Sequence, residues 1–318
     1  MVYDNLLHTA ARRGHAQTIM HRIRTYAIAF GIVFAVPSLA LAWGPGMHMA
    51  VGNDVLQLLQ VLPAGVAALL WKHRRDFLFG NIAADVVVGK RLSRVKQVCH
   101  HWETGFDMLD EGRTKRARAF AYGYLAHLAA DTVSHNKYVP RQVLQTRAAM
   151  HFSHLYWEIR ADAAVDPSLW PQMRELLSEV ASQHRASLHA RLAETFLPFS
   201  LNWRLFGHLN RMATKWRWRR LVTLWNRASR HQLPEALISQ YRSECVARVC
   251  DVLIHGREAQ VCYEDPNGNA ALTCARHRRR QLRQIARAGV VAPYIYQEAV
   301  HGQAPAILVE QSSQRYSA

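Results

Sequence analysis

The chain has 318 residues, half of them hydrophobic and a fifth charged, and this composition excludes a disordered, collagen-like or low-complexity protein. Forty basic against 23 acidic residues give a net charge of +17, which favours phosphate-rich partners such as anionic lipid or nucleic acid. Eighteen histidines, several of them close to acidic residues, favour metal sites.

The N-terminal segment has the order of a secretory signal peptide. Residues 21–24 are basic, residues 26–39 form an apolar run, and residues 40–42 read Ala-Leu-Ala, the pattern that precedes a cleavage site. A retained membrane anchor is the alternative, but the apolar run is short against the ~20 residues that span a bilayer. We therefore expect residues 1–42 to be removed, which makes Trp43 the first residue. The protein would then be secreted or periplasmic, and membrane-anchored if it stays uncleaved.

The remaining sequence has helical spacing almost throughout. Apolar residues recur with this spacing over residues 51–71, interrupted by Pro63, and again over residues 114–134 and 169–196. No alternating strand pattern appears before about residue 290. We therefore predict an all-α protein, a single enlarged helical bundle with metal ligands on facing helices.

No Gly-, Pro- or Ser-rich linker divides the chain, which is compatible with one enlarged domain. Within it we predict four segments. They are an N-terminal extension with the signal peptide (1–42), a catalytic helical core (43–165), additional helices (166–294) and an irregular C-terminal tail (295–318). The cysteines are compatible with export. Cys262 and Cys274 flank a turn-rich segment that a disulfide would close, Cys245 and Cys250 form a second candidate pair, and Cys99 is expected to be a buried free thiol.

An H-x3-D-x3-H series within a predicted helix suggests a metal centre. His127, Asp131 and His135 follow one another at steps of four residues, and each step advances only ~40° around a helix, so all three share one face. The eight residues from His127 to His135 rise ~12 Å along the axis, too far for one ion at ligand distances of ~2 Å. The spacing therefore predicts at least two metals, with Asp131 as the bridging carboxylate.

Two further groups offer ligands to these ions. His154 and Glu158 are again four residues apart, and they present an imidazole and a carboxylate on one helix face to the ion of His135. Upstream, Asp85 and one of the two adjacent histidines at residues 100–101 would complete the other ion. A lone histidine is usually a hydrogen-bonded core residue, but several such groups together favour a metal centre.

The expected mature N-terminus adds further ligands to this set of candidate metal ligands. A free Trp43 would bring an α-amine and a carbonyl close to the imidazole of His48, and together these groups chelate a cation. With the other ligands in this order, residues 43–162 resemble the trinuclear-zinc phosphodiesterases, which comprise bacterial zinc-dependent phospholipases C and fungal and plant single-strand nucleases. The resemblance implies about three zinc ions. It also implies nine ligands, with His101 not excluded in place of His100: Trp43, His48, Asp85, His100, His127, Asp131, His135, His154 and Glu158.

The resemblance also implies a reaction. A zinc-activated water would attack phosphorus in line while another zinc steadies the leaving oxygen, and Asp85 would orient or deprotonate that water. The implied function is a secreted phosphodiester hydrolase, most simply a phospholipase C-like enzyme that cleaves phospholipid headgroups. The alternatives are a single-strand nuclease of the same superfamily and a non-catalytic envelope protein that zinc only stabilises.

A basic and tryptophan-rich segment follows the matched region. Residues 203–231 contain eight Lys and Arg residues, four Trp residues and no acidic residue. Tryptophans favour the headgroup region of a bilayer and arginines bind lipid phosphate, but the same composition also suits a single nucleic-acid strand. A solvated basic face over core tryptophans is the third explanation. We expect a phospholipid or membrane surface as the partner, with single-stranded nucleic acid as the alternative and no protein partner implied.

Overall fold

Most of the residues that the structure describes are helical. The computed structural model describes residues 44–87, 98–145, 150–192, 195–231 and 233–287, and no β-strand occurs within these ranges. The predicted all-α fold is therefore confirmed. The N-terminal extension and the C-terminal tail lie outside the described residues.

Thirteen α-helices follow one another along these described ranges. They are α1 (Pro45–Gln57), α2 (Ala64–Lys72), α3 (Arg74–Ala83), α4 (Trp102–Asp110), α5 (Lys115–Val133), α6 (Val139–Val143), α7 (Met150–Asp162), α8 (Leu169–Glu175), α9 (Ala181–Arg191), α10 (Phe199–Ala213), α11 (Trp216–Ala228), α12 (Glu235–His255) and α13 (Asn269–Arg287). Two π-helical turns (Ser134–Tyr138 and Leu176–Val180) and 3-10 turns (Leu59–Val61, Ala84–Val86, Val98–His100, Gly256–Glu258 and Gln260–Tyr263) connect some of them.

Helix α5 is the centre of the bundle and packs against α3, α4 and α12. Its first turn is capped by Thr114, whose hydroxyl accepts a hydrogen bond from the Ala117 N–H at 3.0 Å. From Ala119 to Val133 every residue except Tyr122 is buried, as expected for a helix that is apolar nearly all round. The polar residues of this stretch are therefore buried with it.

Helices α3 and α5 cross at two glycines. A Cβ atom on Gly123 would lie 2.0 Å from the carbonyl oxygen of Phe77, and one on Gly80 would lie 2.2 Å from that of Phe120. The two helices consequently touch through their backbones, which no other residue type permits. This contact brings the end of α3 against the polar part of α5.

A buried ion cluster ties three helices together beside this crossing. Asp76 of α3 accepts hydrogen bonds from the ring of His184 at 2.7 Å and from Arg116 at 3.2 Å. Burial alone would raise the pKa of Asp76, but these two donors outweigh it and hold the pKa below its usual value. His184 also stacks on Phe120, with the ring centroids 4.2 Å apart. This histidine is a hydrogen-bonded core residue that the sequence analysis did not single out.

All described helices belong to one compact unit. The boundary at residue 165, between the predicted catalytic core and the additional helices, stays a prediction. None of these helices combines the length and the apolar character that a bilayer crossing requires.

The disulfide predictions are wrong, because all five cysteines are free thiols. Cys245 and Cys250 are five residues apart on α12, which separates them by ~140° around the helix axis. The thiol of Cys262 donates to the carbonyl oxygen of Gly256 at 3.6 Å, and Cys274 is exposed on α13. The prediction of a buried free thiol at Cys99 is confirmed.

Candidate metal centre

One buried carboxylate is surrounded by histidines. The oxygens of Asp131 in α5 lie 3.3 Å from Nε2 of His48, 3.0 Å from that of His100, 3.2 Å from that of His127 and 3.9 Å from that of His135. Helix α1 supplies His48, the Val98–His100 turn supplies His100, and α5 with the following π turn supplies the other two. Four imidazoles therefore face one Asp131.

This cluster is short of hydrogen bonds. Asp131 and His48 are fully buried. Yet neither carboxylate oxygen of Asp131 and neither ring nitrogen of His48 has a hydrogen-bond partner among the described residues. A buried polar group without a hydrogen bond is costly unless a metal ion or an opposite charge compensates it. Nitrogen and oxygen donors of this kind suit zinc. The geometry therefore fits a bound cation.

The protonation states suit metal binding as well. Burial alone would raise the pKa of Asp131, but the facing imidazoles, His127 first, hold the pKa well below its usual value. Burial and the neighbouring His127 lower the pKa of His48. An ionised carboxylate beside a neutral imidazole is the form in which these side chains bind metals.

The ligand atoms form two overlapping groups, in each of which the atoms lie within 4.8 Å of one another. The first group contains His48, His127 and Asp131, and the second contains Asp85, His100 and His127. The second group contains three of the four residues predicted for the upstream ion. The first group contains two of the three ligands predicted for the ion of Trp43, which are His48 and Asp131. Trp43 itself lies outside the described residues.

Of the two adjacent histidines, the structure brings only His100 into the centre. Its Nε2 lies 3.4 Å from Asp85 and 3.0 Å from Asp131, and the ring is fully buried. His101 is half-buried immediately before α4 and belongs to neither group. The tight 3-10 turn therefore directs one side chain inward and the next one away.

The third predicted group adjoins the first two. His154 and Glu158 are buried on α7 with Nε2 and a carboxylate oxygen 2.8 Å apart, and the ring of His135 packs edge-on against that of His154 at 5.2 Å. His135 lies in the π-helical turn Ser134–Tyr138, so the predicted helix continues through His135 but changes from α to π after Val133. Such turns are frequent at functional sites, and this one carries the residue that links Asp131 to α7.

The orientation of His127 follows from the crossing of α3 and α5. Its Nδ1 lies 2.8 Å from the carbonyl oxygen of Asn81. A carbonyl only accepts, so Nδ1 donates and Nε2 keeps the lone pair that a metal ligand needs. The ring also stacks on His48, with the centroids 3.9 Å apart.

Asp162 anchors the helix that supplies His48. Its carboxylate accepts the N–H groups of Gly46 at 3.1 Å and Met47 at 2.9 Å in the first turn of α1. Burial raises the pKa of Asp162 to about 7, although these two donors oppose the shift. Since Asp162 ends α7, this contact joins the helix of His48 to that of His154. The sequence analysis missed this residue.

A second missed feature is the turn at residues 265–269. Its Asn267 donates to the carbonyl oxygen of His100 at 3.1 Å, and a Cβ atom on Gly268 would lie 2.3 Å from the carbonyl oxygen of His135. Gly268 has a φ of +59°, which favours glycine. The Asp-Pro-Asn-Gly-Asn sequence signals the turn, but only the fold shows that it holds the backbone of two ligands.

We expect Asn267→Ala to weaken zinc binding about tenfold, because losing a group that orients a ligand typically has an effect of this size. Competition with a chromophoric chelator measures the affinity. Asn269→Ala is the matched control, since that side chain donates to Asp265 within the same turn. Equal affinities for the two variants would show that Asn267 does not orient His100.

One region of the chain matches a known protein family. Residues 47–197 match the family model described as zinc dependent phospholipase C. This segment contains every predicted ligand except Trp43. No curated protein and no solved structure matches the chain. The predicted resemblance to the zinc-dependent phospholipase C family is therefore confirmed over residues 47–197.

Proposed function

We propose that this phospholipase C-type hydrolase is an exported enzyme that hydrolyses phospholipids and releases the phosphorylated headgroup. The family supports the hydrolase class. The observation that carries the proposal is the fully buried Asp131, which faces four histidines without a hydrogen bond to either oxygen. A protein that needed zinc only for folding would more simply use one closed site with four ligands.

We propose that the centre holds about three zinc ions. The proposed ligands are Trp43, His48 and Asp131 for one ion; Asp85, His100, His127 and Asp131 for the second; and His135, His154 and Glu158 for the third. Zinc bound at such a centre lowers the pKa of a coordinated water and polarises a phosphoryl oxygen.

The side chains of the metal centre have separate roles in the proposed reaction. Asp131 stays ionised and balances the charge of neighbouring cations, while the Asn81 carbonyl keeps Nε2 of His127 directed at them. The Asp85 side chain is 9% exposed, whereas the His100 ring beside it is fully buried. We assign to Asp85 the task of orienting the attacking water and accepting its proton, because it borders solvent.

Export and cleavage belong to the same proposal. Only a freed Trp43 offers an α-amine, and the first turn of α1 is held near the ligands of α7 by Asp162. Intact-mass measurement of the exported protein is expected to show Trp43 as the first residue.

The test compares three substrates under identical conditions: phosphatidylcholine vesicles, single-stranded DNA and a short-chain soluble phosphodiester. We expect headgroup release from the vesicles, loss of this activity with a chelator and recovery with zinc. Cleavage of DNA without lipid hydrolysis would favour a nuclease. Zinc binding without hydrolysis of any of the three would favour the non-catalytic protein.

A further inference from the structure

Helix α11 has an outer face that is both apolar and basic. It consists of Trp216, Arg217, Arg220, Leu221, Leu224 and Arg227, all of which are exposed. The three apolar side chains are unusually open for their size, at 64% for Trp216, 57% for Leu221 and 51% for Leu224. At 100° per residue this face covers an arc of about 140°. Helix α11 contains no acidic residue.

The inner face of α11 is packed. Val222 is buried, and Trp225 meets the ring of Tyr156 edge-on at 5.0 Å. Trp218 is half-buried on the same side. Of the three tryptophans in α11, only Trp216 therefore faces outward.

This inner face packs on the helix that carries two proposed ligands. Arg160 of α7 donates to the side-chain oxygen of Asn226 at 2.6 Å. Arg160 lies two residues beyond Glu158 in α7, which also carries His154. One helix layer, ~8–10 Å between axes, therefore separates the outer face of α11 from the helix of His154 and Glu158.

We propose that the outer face of α11 docks on an anionic lipid bilayer and thereby presents the metal centre to its substrate. The proposal rests on the proposed lipid hydrolysis and adds the surface that brings the enzyme to the lipid. Arginines without acidic neighbours are attracted to anionic headgroups, while Trp and Leu side chains enter the boundary with the acyl chains. The guanidinium of Arg217 lies 5.6 Å from the ring centroid of Trp216, so both groups reach the surface together.

The composition of the face favours lipid over a single nucleic-acid strand. A strand binds by stacking its bases on successive aromatic side chains, and this face of α11 exposes a single aromatic ring. Leu221 and Leu224 offer no such stacking, but they gain free energy on leaving water for lipid.

The experiment measures co-sedimentation of the purified, zinc-loaded chain with vesicles of phosphatidylcholine, with and without phosphatidylglycerol. We expect Trp216→Ala to weaken binding about tenfold, because the ring no longer transfers from water to lipid. Trp71→Ala is the matched control, since Trp71 on α2 is also 64% exposed and has the Arg74 guanidinium 5.7 Å from its ring centroid. This control is expected to bind vesicles like the unmodified chain.

The arginines are tested separately by replacing Arg217, Arg220 and Arg227 singly with glutamine. Each change is expected to weaken binding to the anionic vesicles about fivefold, equivalent to ~1 kcal/mol. Binding to pure phosphatidylcholine should change little. The far-UV circular dichroism spectrum should be unchanged, because the replaced side chains are exposed.

Hydrolysis distinguishes the docking proposal from the proposed function. Trp216→Ala should slow the hydrolysis of anionic vesicles and leave that of the soluble phosphodiester unchanged. Equal vesicle binding by Trp216→Ala and Trp71→Ala would overturn the docking proposal, even if both variants hydrolyse lipid. Loss of single-strand DNA binding with unaltered vesicle binding would also overturn it. Failure to hydrolyse any lipid would contradict the proposed function but leave the binding comparison valid.

Discussion

Asp131→Ala is expected to lose more zinc than any other single substitution at the centre, because Asp131 is the only proposed ligand of two ions and its oxygens face four imidazoles. The loss should include at least two ions and should abolish measurable hydrolysis. Elemental analysis of the purified protein measures the zinc content. His48→Ala is the matched comparison, since His48 is a proposed ligand of one ion only and its replacement should remove that single ion.

The stability of the metal-free variant provides a second measurement. Asp131→Ala removes a fully buried carboxylate whose pKa the facing imidazoles hold well below its usual value, so at neutral pH the zinc-free variant should unfold earlier than the zinc-free parent. With zinc present the difference should widen, because metal bound only to the folded state stabilises it and the variant lacks a proposed ligand of two ions. A full zinc complement in Asp131→Ala would refute the bridging assignment.

Gly123→Ala is expected to have the largest effect on stability. The added methyl would lie 2.0 Å from the carbonyl oxygen of Phe77 and 2.9 Å from Cα of Gly80. Backbone atoms cannot turn away as a flexible side chain does, so α3 and α5 must separate. We expect a loss of about 3 kcal/mol or more in the free energy of unfolding, at the upper end for an overpacked core. Denaturant titration measures this value.

Gly65→Ala is the control, because a Cβ on Gly65 in α2 meets no atom within 4 Å. This change should instead stabilise the protein by about 0.5–1 kcal/mol, since alanine is the better helix former. Gly123→Ala should also weaken zinc binding, because the Asn81 carbonyl that orients His127 moves with α3. Similar stabilities of the two variants would contradict the proposed role of the crossing.

The helical class and the ligand types follow from local features of the sequence. Apolar spacing is set by neighbours within four residues on one helix, so it indicates α5 without knowledge of the fold. The same periodicity places His127 and Asp131 on one face, and the structure finds them 3.2 Å apart. The order of the remaining ligands was sufficient to indicate the family that residues 47–197 match.

Long-range packing decided the rest. His100 and His101 are equivalent by spacing, and the choice between them depends on the turn that meets Asp131. The turn at residues 265–269 has a clear local signal, but its contact with the ligand backbone joins parts of the chain far apart in sequence. In the sequence, Gly123 only lowers the helix propensity of its segment, and its role in packing depends on the second helix that lies against it. Trp216 and Trp218 differ only in the residues that pack beside them. Helix propensity is a property of a segment, whereas a metal centre and an exposed face are determined by the neighbours that the fold supplies.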